Sequence, residues 1–315
     1  MTTTVPPASR PVEGEPARPA GATTDRARSA RRLGWMLCAP AVIVMLLVTA
    51  YPIVYAIILS LKRSDLRFPA QAQFVGLRNY ADVLTSGLWW SDLATTLVIT
   101  AVSVAIELVL GMGLALLMHR AIFGRRTVRA SILIPYGIVT VVAALAWRFA
   151  FDPTTGFVNA LLNSDRSWFA GRASSLFVII ITEVWKTTPF MALLLLAGLT
   201  LVPDDLHRAA RVDGATTMQR FTQITLPLMK PAILVAILFR TLDAFRVFDS
   251  VFVMTAGANG TETVSILGSN QLFNRLNLGI GSAVSVLIFA CVIVIAVLFV
   301  KGFGASLAQQ RGERR

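Results

Sequence analysis

The sequence predicts an all-α protein, built as a bundle of six transmembrane helices. Of its 315 residues, 55% are hydrophobic and only 15% are charged, and the mean hydropathy is +0.68. A soluble domain carries about 25% charged residues, so this composition is too apolar for a surface that faces water. The apolar residues form long runs, and the basic residues lie mainly between those runs. Both patterns are typical of helices that cross a bilayer.

Six apolar runs are near or above the roughly 20 residues that a helix needs to cross the hydrocarbon core. They lie at about 33–61, 93–118, 130–151, 174–201, 231–254 and 279–300. The first run is longer than the apolar core of a signal peptide, which has about 7–15 residues. It is therefore predicted to be a retained span.

The segments outside the spans predict the domain organisation. Residues 1–32 are rich in Pro, Ala, Thr and Arg, which predicts a disordered cytoplasmic tail. A six-span transmembrane domain is predicted over 33–304, followed by a short basic cytoplasmic tail, 305–315. With both termini in the cytoplasm, the cytoplasmic segments hold 18 of the 29 basic residues and the external loops hold seven.

That asymmetry predicts a multi-pass protein of the plasma (inner) membrane with both termini inside. It also explains the net charge of +12 better than nucleic-acid binding does. No metal site is predicted, because His119 and His207 lie far apart and have no local ligand partners. Cys38 and Cys291 fall inside apolar runs, which indicates buried thiols.

The segment 203–227, between the fourth and fifth spans, carries strong helix signals. The Pro-Asp-Asp sequence at 203–205 is typical of a helix start. Gly214 marks a stop, and a second short helix is predicted to run to Gln223, before the break at Leu226-Pro227. The segment is therefore predicted to be a helix–turn–helix on the cytoplasmic face. On periodicity alone, an ordinary amphipathic helix in the membrane interface explains it equally well.

The same segment resembles the Glu-Ala-Ala loop of binding-protein-dependent ABC importer permeases. The resemblance is carried by Ala209, Ala210, Asp213, Gly214 and Ala215, followed by Phe221, Ile224, Leu226 and Pro227. In that family the loop docks into the ATPase subunit and couples hydrolysis to gating. The resemblance thus implies a coupling role for these residues and for Leu206. Arg208 stands where the family usually has Glu, so its contact is expected to differ.

The rest of the chain, from about residue 33, resembles sugar permeases of the maltose-permease type, and most of all the trehalose-importer permeases of mycobacteria. The matching segments are Phe74-Val75-Gly76-Leu77-x-Asn79-Tyr80, Ala146-Trp147-Arg148-Phe149, Gly156-x-x-Asn159, Trp185-Lys186 and Thr261-Glu262-Thr263. This resemblance implies the importer permease fold and a disaccharide substrate such as trehalose.

Charged residues inside the predicted spans are candidates for a substrate pathway. Each would cost about 2.5–3.5 kcal/mol at the centre of a helix that faces lipid, so they are expected to face protein or water. Arg240, Asp243, Arg246 and Asp249 recur every three residues with alternating sign, which predicts a paired ladder on one helix face. The ladder would line a pathway, or it would only pin the fifth span to its neighbours.

Glu183 and Lys186 are predicted to pair, as they are also three residues apart. Trp185, Phe190 and Phe245 offer flat faces on which a sugar ring could stack, although plain helix packing explains them as well. Asn270, in an external loop, is a further candidate for contact with the substrate or with the protein that delivers it.

The predicted function is that of a non-catalytic permease. None of the four lysines follows a glycine, so the Gly-Lys-Ser/Thr phosphate-binding loop is absent from the sequence. ATP and Mg²⁺ are expected on a partner ATPase, with no cofactor on this chain. The resemblance implies a second permease, two ATPase subunits and an extracytoplasmic sugar-binding protein or lipoprotein as partners. The alternative is a proton-coupled secondary transporter with Glu107, Glu183 or Asp243 as relay.

Overall fold

The computed structural model describes residues 21–120 and 125–312. It divides into two compact units, of which one ends at Tyr55 and the other begins at Ala56. The described chain is mainly helical, as the sequence predicts, and its strands form a short antiparallel ribbon of β1 (Lys62–Arg63) and β2 (Gln73–Phe74). The α-helices are α1 (Gly21–Ser60), α2 (Arg78–Leu84), α3 (Gly87–Arg120), α4 (Arg125–Gly137), α5 (Thr140–Ala150), α6 (Phe157–Leu162), α7 (Arg172–Leu199), α8 (Asp204–Val212), α9 (Thr217–Arg220), α10 (Leu226–Ala244), α11 (Asp249–Met254), α12 (Val264–Ser269) and α13 (Leu278–Gly312).

The first and last helices extend beyond the predicted spans. Helix α1 begins at Gly21, within the segment for which disorder is predicted, while residues 1–20 lie outside the described part. That segment contains several alanines and arginines, which are good helix formers. Extension of an existing helix is also easy, because nucleation is the costly step. In the same way α13 continues to Gly312, into the predicted basic tail.

The third predicted span is not one helix. Among the described residues, five helical segments are long and apolar enough to cross a membrane, and a bent pair makes the sixth. In that pair, α4 and α5 meet at an angle of 86° across Ile138 and Val139. Pro135 lies in the last turn of α4 and Gly137 ends it, and neither residue favours an uninterrupted helix.

The fifth predicted span, 231–254, is displaced towards the amino terminus. The helical segment runs from Thr217 to Ala244, and α11 is a separate helix. Phe248 has non-helical φ and ψ angles of −133° and −61° at this break. Asp249 then begins α11, where an acidic side chain is favoured by the helix dipole.

Helices α3, α7 and α10 form the core of the second unit. Their contact is filled by small and flexible apolar side chains, among them Met112, Ala115, Met191, Leu195 and Ala236. Small residues allow helix backbones to approach closely, which is how helices associate in membranes. A polar group between these three helices is therefore held in a closely packed and fixed environment.

The tight contact of α7 with α10 at Gly198 predicts a specific packing defect. A Cβ atom built on Gly198 would lie 2.5 Å from Cβ of Ala232. We expect Gly198→Val to force the helices apart and to lower the free energy of unfolding by about 1–3 kcal/mol, measured by thermal unfolding of the purified protein. The control is Gly113→Ala, because a Cβ on Gly113 of α3 meets no atom within 4 Å. Equal unfolding midpoints for the two variants would contradict the prediction.

Two residues of the permease-like segments have structural roles in loops. The side-chain amide of Asn79 donates to the carbonyls of Ser60 at 2.7 Å and Lys62 at 2.9 Å. Trp168 Nε1 donates to Oδ1 of Asn159 at 2.7 Å, in the region between α6 and α7. These asparagines thus hold the connections outside the long helices.

The connection between α5 and α6 contains a turn that depends on the charge of Asp152. Its carboxylate accepts hydrogen bonds from the backbone N–H groups and hydroxyls of Thr155 and Thr154. These bonds lower the pKa of Asp152 from 3.8 to about 2. The turn is therefore favoured above about pH 4, and the bonds are lost as the pH falls through about 2.

Candidate functional site

Helices α3, α7 and α10 place charged side chains at one buried point. Arg240 of α10 donates to Glu107 of α3 from Nε at 2.5 Å and from Nη2 at 3.0 Å. Its Nη2 also donates to Glu183 of α7 at 3.2 Å. The exposed fractions of these side chains are 1% for Arg240, 0% for Glu107 and 9% for Glu183. We refer to the three residues as the buried ion cluster.

Two hydroxyl groups complete the hydrogen bonding of the cluster. Thr187 donates to Glu107 Oε1 at 2.8 Å, and Ser250 of α11 donates to Glu183 Oε1. A guanidinium has five N–H donors in a planar fork, which suits several carboxylates at once. Because an unpaired charge is very unfavourable in apolar surroundings, the cluster is stable only while its helices stay together.

The predicted charge ladder is only partly formed. Arg240 Nη1 donates to Asp243 at 2.7 Å, which confirms the first pair. The continuation through Arg246 and Asp249 as a helix face is wrong, because α10 ends at Ala244 and the next residues form a turn. The three-residue spacing of these charges suits a helix, but the backbone from Ala244 to Asp249 is not a continuous helix.

The predicted ion pair between Glu183 and Lys186 is also not formed. Glu183 contacts Arg240 and Ser250 instead, and both contacts come from other helices. The ammonium group of Lys186 lies 5.7 Å from the ring centre of Tyr136, at a distance typical of a cation–π interaction. Glu183 is buried, so it pairs with the buried guanidinium.

A polar cavity of about 410 Å³ opens beside the buried ion cluster. Its volume falls in the range of about 300–1,000 Å³ typical of small-ligand sites. The side chain of Asp243 is 65% exposed there, although it contacts the buried Arg240. We refer to this space as the central cavity. It is lined by Tyr136, Thr140, Glu183, Lys186, Thr187, Arg240, Asp243, Arg246, Val247, Phe248, Asp249 and Ser250.

The predicted stacking residues do not line the central cavity. Phe190 stacks on Tyr136, with ring centres 5.4 Å apart, and Trp185 makes an edge contact with Trp147 at 5.7 Å. Phe245 is 1% exposed and packs in an apolar cluster. In this structure the three aromatic residues contact other aromatic or apolar side chains, as the helix-packing interpretation predicts.

Asn270 is also outside the central cavity. Its side-chain amide donates to Glu262 at 2.8 Å, and it begins a π-turn, Asn270–Asn274, between α12 and α13. Residues that were not predicted for the substrate pathway also line the cavity, notably Tyr136, Thr140, Phe248 and Ser250. The break between α10 and α11 brings the last two there, and the local pattern carries no signal for that break.

The segment 203–227, which we refer to as the coupling loop, forms the predicted helix–turn. Helix α8 begins after Pro203 with Asp204 and Asp205 in its first turn. It ends in a hydrogen-bond pattern in which Ala215 N–H donates to Ala210 and Gly214 N–H donates to Arg211. This is a Schellman motif, and Gly214 takes the left-handed conformation that it requires, with φ of +78°.

The second half of the coupling loop differs from the prediction. Thr216 starts α9 with a capping box, in which its hydroxyl accepts from Gln219 N–H while the Gln219 side chain accepts from Thr216 N–H. The helix does not end before Pro227 but continues through a π-turn, Phe221–Thr225, into α10. The wider π-turn accommodates the proline, which lacks an N–H and crowds the preceding turn of an α-helix.

The surface of α8 is open, whereas Phe221 anchors the loop. Phe221 packs against the apolar core between α3, α7 and α10. Leu206 is 44% exposed, and Arg208 makes an exposed pair with Asp205 at 3.6 Å. Ala209 and Asp213 are also exposed, so α8 offers this surface to solvent or to another chain. The contact of Arg208 within this chain is thus with its own helix.

Residues 107–310 match the sequence profile of a family described as the binding-protein-dependent transport system inner membrane component. This match includes the buried ion cluster and the coupling loop. The chain belongs to this family. It is a multi-pass membrane permease of the ABC importer type, and the prediction of a permease rather than an enzyme is confirmed. A proton-coupled secondary transporter is not favoured.

Named relatives share most of the permease's length. It is 57% identical to the trehalose transport system permease protein SugA of Mycobacterium tuberculosis, over 88% of this chain and 90% of that protein. It is 41% identical to the trehalose/maltose transport system permease protein MalF of Thermococcus litoralis, over 86% of this chain and 93% of that protein.

A solved structure confirms the fold of the permease. A chain in the crystal structure of a bacterial ABC transporter that imports the polysaccharide alginate superposes with a TM-score of 0.74. The match covers 87% of this permease and 96% of that chain, at 21% identity. At that identity the likeness supports the importer permease fold alone.

Proposed function

We propose that this permease carries a neutral disaccharide such as trehalose into the cytoplasm as part of an ATP-driven importer. The observation that carries the proposal is the central cavity. Its solvent-facing charges comprise two cations, Lys186 and Arg246, and two anions, Asp243 and Asp249. Such a balanced lining suits an uncharged ligand with many hydroxyl groups, which it can orient through charge-assisted hydrogen bonds. The named trehalose permease relatives support the same substrate class.

The proposed assembly contains this permease, a second homologous permease, two ATPase subunits and an extracytoplasmic sugar-binding protein or lipoprotein. A related alginate importer has been solved in complex with a substrate-bound periplasmic protein, which supports such a delivery partner. Both termini and the coupling loop lie in the cytoplasm in this proposal, because the basic residues are concentrated in those segments.

The continuous helical segment from Thr217 to Ala244 supports a direct route for coupling. Its first turns belong to the coupling loop, and its last turns carry Arg240 and Asp243. In the proposed mechanism, ATP binding closes the ATPase pair and displaces the loop. The helix carries that displacement to the central cavity, whose access changes from one side of the membrane to the other. Each ligand shifts this equilibrium only by its difference in affinity for the two states.

Uptake of radiolabelled trehalose tests the proposal. In vesicles that contain the assembled importer, we expect uptake to require ATP and to survive an uncoupler that collapses the proton gradient. Uptake that needed no ATP but stopped with the uncoupler would contradict the proposal. Competition by unlabelled sugars would define the substrate, and a preference for an anionic sugar would contradict the balanced-charge argument.

Substitution of Asp243 is the most direct test of substrate binding by a single residue of the cavity. We expect Asp243→Ala to reduce uptake at low trehalose concentration about tenfold or more. A hydrogen bond to a charged group contributes about 1.5–3 kcal/mol, and this carboxylate is exposed to the ligand. Because Asp243 also accepts a hydrogen bond from the buried Arg240, the thermal unfolding midpoint should fall as well, and uptake is therefore compared per amount of folded protein. Asp165→Ala, in the exposed connection between α6 and α7, is the matched control outside the cavity and the coupling loop, and normal uptake by Asp243→Ala would exclude a substrate-binding role.

A further inference from the structure

A second cavity, of about 550 Å³, lies beside the coupling loop and shares no lining residue with the central cavity. Its walls come from the end of α3, the end of α7, and both helices of the loop. Leu116 and Leu199 form apolar walls on the bundle side. We refer to it as the loop cavity. Its charged and titratable lining residues are His119, Asp204, His207, Arg211 and Arg220.

Positive charge dominates the loop cavity. His207 and Arg211 lie one helical turn apart on α8, so they share a face. Arg220 enters from α9 and His119 from α3. Neither Arg211 nor Arg220 makes an ion pair with another described residue, and Asp204 is the one carboxylate in the lining. The two arginines, from α8 and α9, therefore converge on a cavity whose described lining holds one carboxylate.

A second observation, independent of the charge in the cavity, concerns the hydrogen bonds of Arg220. Its Nη2 donates to the hydroxyl of Thr217 at 3.2 Å, which holds the guanidinium in place. Its Nε is buried and has no hydrogen-bond acceptor among the described residues. Nearly all buried donors in proteins have a partner, so this N–H is available to an acceptor that enters the cavity, either a ligand oxygen or water.

We propose that the loop cavity binds a phosphate group. Guanidinium groups match the oxygens of phosphate through paired hydrogen bonds, and imidazole N–H groups add further donors. The phosphate comes either from a small phosphorylated metabolite or from a lipid headgroup, since the cavity adjoins the ends of membrane helices. A bound phosphate bridges α8 and α9 to the end of α3, and so restrains the coupling loop against the bundle. The regulatory meaning of this restraint rests on the proposed function, whereas the binding itself does not.

Calorimetric titration of the full-length permease tests the site. In nanodiscs of phosphatidylcholine, we expect glycerol 3-phosphate to bind, and Arg220→Gln and Arg211→Gln each to weaken binding at least tenfold. Arg208→Gln is the matched control, because Arg208 does not line the cavity and pairs with Asp205. Binding that is equal in wild type and Arg220→Gln would overturn the proposal.

A second arm distinguishes the two sources of phosphate. In nanodiscs that contain phosphatidylglycerol, a lipid ligand would compete with glycerol 3-phosphate, and native mass spectrometry would show retained phosphatidylglycerol that Arg220→Gln loses. If neither glycerol 3-phosphate nor phosphatidylglycerol binds in an Arg220-dependent way, the site does not bind phosphate. A protein that binds phosphate but fails to transport trehalose would overturn only the proposed function.

Discussion

Arg240→Met is expected to destabilise the permease more than any other single substitution in the central region. It leaves Glu107 and Glu183 buried together without their cation. Breaking a buried ion pair by removal of one partner costs about 3–5 kcal/mol, because the remaining charge stays uncompensated. The measurements are the thermal unfolding midpoint of the detergent-solubilised protein and the fraction that elutes as a single species. Both should fall sharply.

Two comparisons identify the cause of that loss. Arg246→Met removes an exposed guanidinium from the same cavity, and its effect on stability should stay within about 0.5 kcal/mol. A triple variant that combines Arg240→Met with Glu107→Gln and Glu183→Gln removes all three buried charges. It should recover much of the stability, since the penalty comes from unpaired charge. An unchanged midpoint in Arg240→Met alone would show that the ion cluster does not hold the helices together.

Gly214→Trp is expected to abolish ATP-dependent uptake while the protein stays folded. Gly214 has a φ of +78°, so any other residue there adds strain of about 1–2 kcal/mol. A Cβ at this position meets no atom within 4 Å, so the indole would project into open space beside α8. That space is where the ATPase docks in the proposed assembly. Uptake should therefore fall more than tenfold, together with co-purification of the ATPase.

Two smaller substitutions at Gly214 distinguish the effect of backbone strain on uptake from the effect of side-chain volume. Asn adopts the left-handed conformation more readily than other residues, so Gly214→Asn should keep most of the uptake. Gly214→Ala introduces strain with little volume and should lower the unfolding midpoint slightly. If Gly214→Ala lost as much uptake as Gly214→Trp, the conformation of the turn rather than the docking space would be decisive. Normal uptake by Gly214→Trp would contradict a role of the coupling loop in ATPase docking.

Features that depend on nearby residues could be predicted from the sequence. The apolar runs located the long helices, and the Pro-Asp-Asp start and the Gly214 stop located α8. The π-turn after α9 could not be predicted, because Pro227 locally indicates a helix end. The bend between α4 and α5 falls at residues that also occur inside continuous transmembrane helices, where neighbouring helices compensate for proline and glycine.

The partners in the central region depend on tertiary structure. Helical spacing paired Glu183 with Lys186, three residues away, but the structure pairs it with Arg240 on another helix. The connection from Glu107 to Arg240 spans 133 residues, so no local pattern carries it. The aromatic candidates illustrate the same limit, since flat faces occur both in binding sites and in packed cores. The sequence thus located the charged residues near the cavity but not the contacts that form it.

The order of the charges along the chain has a consequence for biogenesis. The two acidic members of the buried ion cluster are synthesised before Arg240, on α3 and α7. An arginine at the centre of a spanning helix costs about 2.5–3.5 kcal/mol on insertion scales, and Arg240, in the last turns of α10, carries part of that cost. When α10 leaves the translocon, the carboxylates that neutralise its arginine are already within the bilayer. We therefore expect the earlier helices to assist insertion of the fifth span.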